Sequence, residues 1–161
     1  MIARRRKQCC ISFLGLLLLM VLCPAESPAE EVVKLSKGQT VYVPVYSHIY
    51  SGPKSTPLQL TATLSIRNTD TVSPITINSA DYYDSDGKLV SSYVTEDLRL
   101  NALASTRYIV KTYDKSGGSG ANFIVKWSAK EKVNAPIIEA VMIGQRYSFI
   151  TRGQVIRDIS K

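Results

Sequence analysis

Leu58-Gln59-Leu60-Thr61-Ala62-Thr63-Leu64-Ser65-Ile66-Arg67 alternates apolar and polar side chains without a break. A period of two buries one face of a β-strand and leaves the other wet. The same alternation flanks it. Val41, Val43 and Val45 interleave with Tyr42, Pro44 and Tyr46, while Ala121, Phe123, Val125 and Trp127 interleave with Asn122, Ile124, Lys126 and Ser128. Pro44 cannot donate to a ladder, which predicts an edge position for the first of these strands. Further strands are predicted over Ile75 to Tyr83, Leu89 to Val94, Thr106 to Tyr113, Ile137 to Ile143 and Tyr147 to Thr151. Asp84-Ser85-Asp86-Gly87 reads as the hairpin turn between two of them.

No segment sustains a helical period, and the nearest, Thr95 to Ala104, is interrupted by apolar residues at spacing two. About eight short strands with turn signals every ten or so residues specify an all-β fold. We expect a single-domain antiparallel immunoglobulin-like β-sandwich with little or no helix outside the export signal. A partly open barrel is the alternative.

The amino terminus has a different character. A basic cluster, Arg4 to Lys7, precedes an apolar run from Ile11 to Cys23 and then small residues ending at Ala29. This is the three-part pattern of a secretory signal peptide. The run is shorter than the roughly 20 residues a spanning helix needs. Ser27 and Ala29 suit the shallow pockets of signal peptidase, so residues 1–29 read as a cleaved signal, 30–38 as a short tether, 39–156 as the sandwich and 157–161 as a tail. Cys23 offers a second frame, and its lipidation would make the chain a lipoprotein. Leu22 is large for the position before a lipidated Cys.

Cleavage recasts the composition. The 161-residue chain carries a formal net charge of +7 and three cysteines, which on their own suggest nucleic-acid, redox or metal chemistry. Losing residues 1–29 removes four of the 20 basic residues, one of the 13 acidic ones and all three cysteines, leaving +4 and no thiol. A disulfide, a thiolate metal site and a Cys nucleophile are thereby excluded from the mature chain. The remaining positive charges are scattered among acids, unlike a nucleic-acid stripe.

Catalytic patterns are also missing. His48 is the single histidine, and no Gly-x-Ser-x-Gly elbow accompanies it. Zinc needs three or four ligands, so no metal site is predicted. Asp81, Asp84 and Asp86 before Gly87 do not match the spacing of an EF-hand loop. Gly117, Gly118 and Gly120 could aim backbone N–H groups at an anion, but no Lys-Ser/Thr follows and the next element reads as a strand. Two Ser-x-x-Lys matches, Ser51 to Lys54 and Ser85 to Lys88, fall in turns. No cofactor is predicted.

Nine tyrosines stand out, of which Tyr42, Tyr46 and Tyr50 cluster around the Val-rich strand and flank His48. Tyrosine presents a rigid face with a polar tip and is common in binding patches. The predicted binding residues are therefore Tyr42, Tyr46, His48, Tyr50, Gly117, Gly118 and Gly120, with catalytic residues none. The expected role is non-enzymatic binding of an envelope protein or glycan. Alternatives are a small hydrolase or lyase using His48, and a small-ligand binder with a cavity between the sheets.

The segments TVYVPVYSHIYSG (40–52), LTATLSIRNTD (60–70), YYDSDGKLV (82–90) and GGSGANFIVKW (117–127), in this order and spacing, resemble an uncharacterised family of exported bacterial proteins. It is the domain-of-unknown-function family numbered 3124. The likeness spans about Val33 to Val155. It implies a single secreted or lipid-anchored bacterial domain, in keeping with the periplasm or cell-envelope location expected from the amino terminus, where membrane contact is expected only through the signal peptide or a lipid anchor. It carries no activity over to any residue.

Mass spectrometry of the exported protein is expected to show a mature chain beginning at Glu30. A diacylglyceryl-modified Cys23 would contradict that frame.

Overall fold

The computed structural model describes residues 34–157. The expected signal peptide, the processing residues Cys23 and Ala29, residues 30–33 of the tether and residues 158–161 of the tail lie outside the described residues. Twelve strands form along the described chain. They are β1 (Ser36–Pro44), β2 (His48–Ser51), β3 (Thr56–Gln59), β4 (Thr61–Arg67), β5 (Ile75–Tyr83), β6 (Leu89–Ser92), β7 (Leu98–Leu100), β8 (Ser105–Val110), β9 (Asn122–Val133), β10 (Ile137–Ile143), β11 (Ser148–Arg152) and β12 (Gln154–Ile156). The described helical content is one 3-10 turn over Gly118–Gly120.

All recorded pairings are antiparallel. The first sheet runs β12-β1-β9-β5, with β6 and β7 pairing different stretches of β5; the second runs β11-β10-β4-β8; β2 and β3 make a separate ribbon. Side-chain alternation explains how the two larger sheets meet. Ala62, Leu64 and Ile66 of β4, with Ala140 and Met142 of β10, are buried in one core with Val43 of β1, Phe123 and Val125 of β9, and Ile77 and Tyr82 of β5. Burying each large aliphatic side chain is worth ~1.5–3 kcal/mol, so this shared layer dominates the stability. The result is the antiparallel sandwich that the alternation predicts. These pairings do not single out the immunoglobulin-like version of it.

Several local expectations change. The stretch 58–67 is two strands, because the chain leaves the ribbon at Leu60, whose N–H donates to Ser47 O at 3.0 Å. Leu58 is consequently only half-buried, whereas Leu60 is fully buried. The strand carrying Pro44 is not at an edge: β1 lies between β12 and β9. β12 pairs only with Thr40 to Tyr42, so it stops short of the residue that lacks a donor. The carbonyl of Pro44 instead accepts from Thr151 Oγ1 at 2.5 Å. His48, beyond the end of the predicted Val41–Val45 strand, begins β2 and pairs with Gln59.

β5 contains a bulge at Asn78: Ile77 pairs with Trp127 and Ser79 with Lys126, leaving one extra residue between them. The inward set switches there from Ile75 and Ile77 to Ala80 and Tyr82. Tyr82 therefore enters the core while Tyr83 stays half-buried.

One end of the sandwich is closed by polar groups. The buried Asn68 amide donates to Ser73 O and Asn101 O, both at 2.9 Å. Asp70 accepts from the N–H groups of Val72, Ser73 and Asn134, tying two connections together. Those backbone hydrogen bonds hold its carboxyl below the usual carboxylate range.

The chain passes from the second sheet to the first at Gly153, between β11 and β12. Its N–H donates to Ile138 O at 2.8 Å, and a Cβ there would lie 2.6 Å from Val41 Cγ1 and 2.8 Å from Ile138 O. Neither neighbour is the free end of a flexible side chain. Gly153→Ala is expected to destabilise the fold by ~1–3 kcal/mol, read as a lower urea midpoint at unchanged m-value. An unchanged midpoint would refute this account of the crossing.

Candidate functional site

Ser47 continues the inward alternation of Val41, Val43 and Val45 and is fully buried. A buried hydroxyl must find a partner. Ser47 Oγ donates to Gly118 O at 2.9 Å, and Ser47 N–H donates to the same carbonyl at 3.1 Å. Ser47 Oγ also lies 3.2 Å from His48 Nδ1. Serine has one hydroxyl proton, and the carbonyl takes it, so Nδ1 carries the proton of the second contact. His48 Nε2 lies 3.1 Å from Tyr50 Oη, the two rings packing edge to face with centroids 5.1 Å apart. In this chain of hydrogen bonds His48 donates to the serine. Activating a serine nucleophile requires the opposite direction.

The glycine loop is similarly engaged. Gly117 O accepts from Ser85 N and Ser85 Oγ, both at 3.0 Å, and Gly120 N–H donates to Ser85 Oγ at 2.9 Å. Gly118 N–H donates to Lys115 O at 3.2 Å. These donors point into the protein rather than converging on a vacant anion position. Only glycine fits at 117, because a Cβ there would stand 1.9 Å from Tyr82 Oη. The neighbouring Asp84 is also occupied: Oδ1 accepts from Asp86 N and Lys88 N, which makes the acidic run a turn. Among the described residues no three His, Cys, Asp or Glu side chains gather as a metal set would.

Beneath the loop, Tyr82 packs on Phe123 at 5.0 Å, and Tyr93 packs on Phe123 at 5.4 Å and on Tyr108 at 5.6 Å. Tyr82 Oη is buried without a hydrogen-bond partner. Burial, reinforced by Asp114 and Tyr93, pushes this phenol up to about 12. Tyr93 is raised for the same leading reason, with Asp114 adding to it.

The predicted tyrosines separate. Tyr42 is half-buried on β1, opposite Ile124 and Gln154 in register. Tyr46 leans on Phe149 at 5.9 Å, against the core. Tyr50, 58% exposed, pairs with Pro57 across the ribbon, as His48 pairs with Gln59. Directly opposed residues of an antiparallel pair share a face, so His48, Tyr50, Pro57 and Gln59 lie on one side of the ribbon.

Pro57 and Gln59 also line a cleft of about 440 Å³, together with Leu58, Thr61, Thr112 and, from the β10–β11 turn, Ile143, Gln145 and Tyr147. Thr61 and Thr112 meet through their hydroxyls. The turn is closed by Gly144 N–H donating to Tyr147 O at 2.8 Å. Two other surface clefts carry ionic groups: one has Arg67, Glu139 and Arg152, the other Lys111 and Asp114. The first cleft has neither acid nor base. Gln59, Gln145 and Tyr147 were not among the predicted binding residues: alternation placed Gln59 on the wet face of a strand and Tyr147 at the start of one without marking either as a site, and Gln145 falls between predicted strands.

Fold and site together define an antiparallel β-sandwich domain with an uncharged cleft beside a two-stranded ribbon. The chain belongs to the family described as protein of unknown function, DUF3124, whose pattern matches residues 38–156. Among solved structures it is similar to the crystal structure of Thermotoga maritima 1070, with 9% identity, a TM-score of 0.39 and coverage of 73% of this chain and 90% of that one. No curated protein matches it.

The raised Tyr82 hydroxyl gives a test with a definite sign. Between about pH 10, where an unfolded tyrosine ionises, and about 12, the unfolded chain has lost this proton while the folded chain keeps it, so stability falls across that window. Tyr82→Phe deletes a hydroxyl without a partner and is expected to flatten that fall while leaving stability at neutral pH equal or slightly higher. Urea midpoints measured across the window check it; parallel curves for the two proteins would contradict it.

Proposed function

We propose that the chain is an exported, non-enzymatic binding domain of the bacterial cell envelope, engaging a glycan or a protein at the end where the ribbon meets the β10–β11 turn. The observation that carries this reading is the uncharged cleft walled by Gln59, Thr61, Gln145 and Tyr147 and flanked by the exposed Tyr50. Clefts with an apolar wall and a few convergent polar groups are the usual form of a binding site. The direction of the Ser47–His48–Tyr50 hydrogen bonds supports binding over hydrolysis. A cavity between the sheets is disfavoured, since the inward residues of both sheets fill that space with one core. The envelope location rests on the basic and apolar amino-terminal pattern.

Affinity capture from a bacterial envelope extract tests the surface. Recovery is expected to fall several-fold for Tyr50→Ala/Tyr147→Ala and to persist for Val72→Ser, which alters an exposed side chain in the β4–β5 connection. Equal recovery by wild type and the double variant would remove this end of the molecule from consideration.

A further inference from the structure

We infer that the cleft beside the ribbon takes an uncharged oligosaccharide, a conclusion that rests on the binding reading above and names its ligand class. Charge is the first argument. The expected mature chain keeps a net charge of +4, yet the walls of this cleft contain no Lys, Arg, Asp, Glu or His. A charged ligand would surrender hydration and meet no counter-charge.

Hydrogen-bonding capacity is the second. The side-chain amides of Gln59 and Gln145 make no hydrogen bond within the protein, and Gln145 is exposed at the cleft. Each amide offers both donors and acceptors, and the paired Thr61 and Thr112 hydroxyls retain further accepting capacity. A hydroxyl group also both donates and accepts, so a polyol complements this set. A wholly apolar ligand would leave the amides unpaired in a closed interface, at a cost in affinity.

Shape is the third. Tyr147, 42% exposed, stands beside Leu58 and Ile143 in the wall. An aromatic face is electron-rich and receives the C–H face of a sugar ring, while the phenol remains available to a hydroxyl. The volume of about 440 Å³ falls within the usual range for small-ligand sites. An extended peptide could instead add to β3, but that strand has four residues and contains Pro57, which has no N–H to offer.

Amide chemical shifts of the labelled domain, followed during titration with maltotriose, cellotriose, triacetylchitotriose, an uncharged hexapeptide and polygalacturonate, test the inference. At least one neutral trisaccharide is expected to move the signals of Thr61, Gln145 and Tyr147. Tyr147→Ala should then weaken that binding about tenfold and Tyr147→Phe by no more than about twofold, with thermal midpoints confirming that both variants fold. No response to any of the three sugars overturns the inference, as does a response to the hexapeptide or polygalacturonate alone. If capture from envelope extract still depends on Tyr147 while the sugars are silent, the glycan assignment falls and the binding reading stands. If both fail, both fall.

Discussion

Two backbone carbonyls in a glycine loop hold the ribbon end of this domain together. Gly118 O accepts from both the N–H and the hydroxyl of Ser47, and Gly117 O accepts from both the N–H and the hydroxyl of Ser85. The first pair fixes the point where β1 gives way to the ribbon; the second fixes the β5–β6 turn. Ser47 O in turn accepts from Leu60 N–H, so the return of the ribbon into β4 is anchored at the same residue. The loop can lie this low only because position 117 lacks a side chain above Tyr82. Displacing it would leave the buried Ser47 hydroxyl and N–H unpaired, each costing about 1–3 kcal/mol.

This seam explains why the groups most suggestive of chemistry are chemically committed. Ser47, His48, Ser85, Asp84 and the glycines all spend their donors and acceptors on the architecture. Gln59 and Gln145, whose side-chain amides make no such bonds, line the same cleft. The residues that tie the loop down and those that line the cleft are thus different sets at one end of the sandwich. The other end is closed by Asn68 and Asp70, whose polar atoms are likewise satisfied.

Much of the fold was legible because burial on one face imposes a period of two. Ile75–Tyr83 and Ile137–Ile143 form strands with the expected bounds. The failures occur where alternation does not encode the event. Leu60 keeps the pattern of its neighbours while the chain changes sheet, and Asn78 inserts a bulge that flips the inward set without a Gly or Pro to announce it. Pro44 was read as an edge signal, but a short neighbouring strand satisfies the same constraint by ending early. For the candidate site, the spacing of Tyr46, His48 and Tyr50 pointed to the ribbon, whose second strand borders the cleft. Gln145 and Tyr147 reach the cleft through tertiary packing of a turn more than eighty residues away in sequence, which local pattern cannot convey. Membership of DUF3124 fixes the family and assigns no activity.

The central claim is that the cleft, and not the His48 hydrogen-bond chain or the glycine loop, is where the domain meets its ligand. Hydrogen–deuterium exchange of the mature protein, with and without envelope extract, addresses it most directly. Added protection is expected in two separated segments, 57–61 and 143–147, with the 114–120 loop unchanged. Protection confined to the glycine loop, or to strands outside those two segments, would contradict the account.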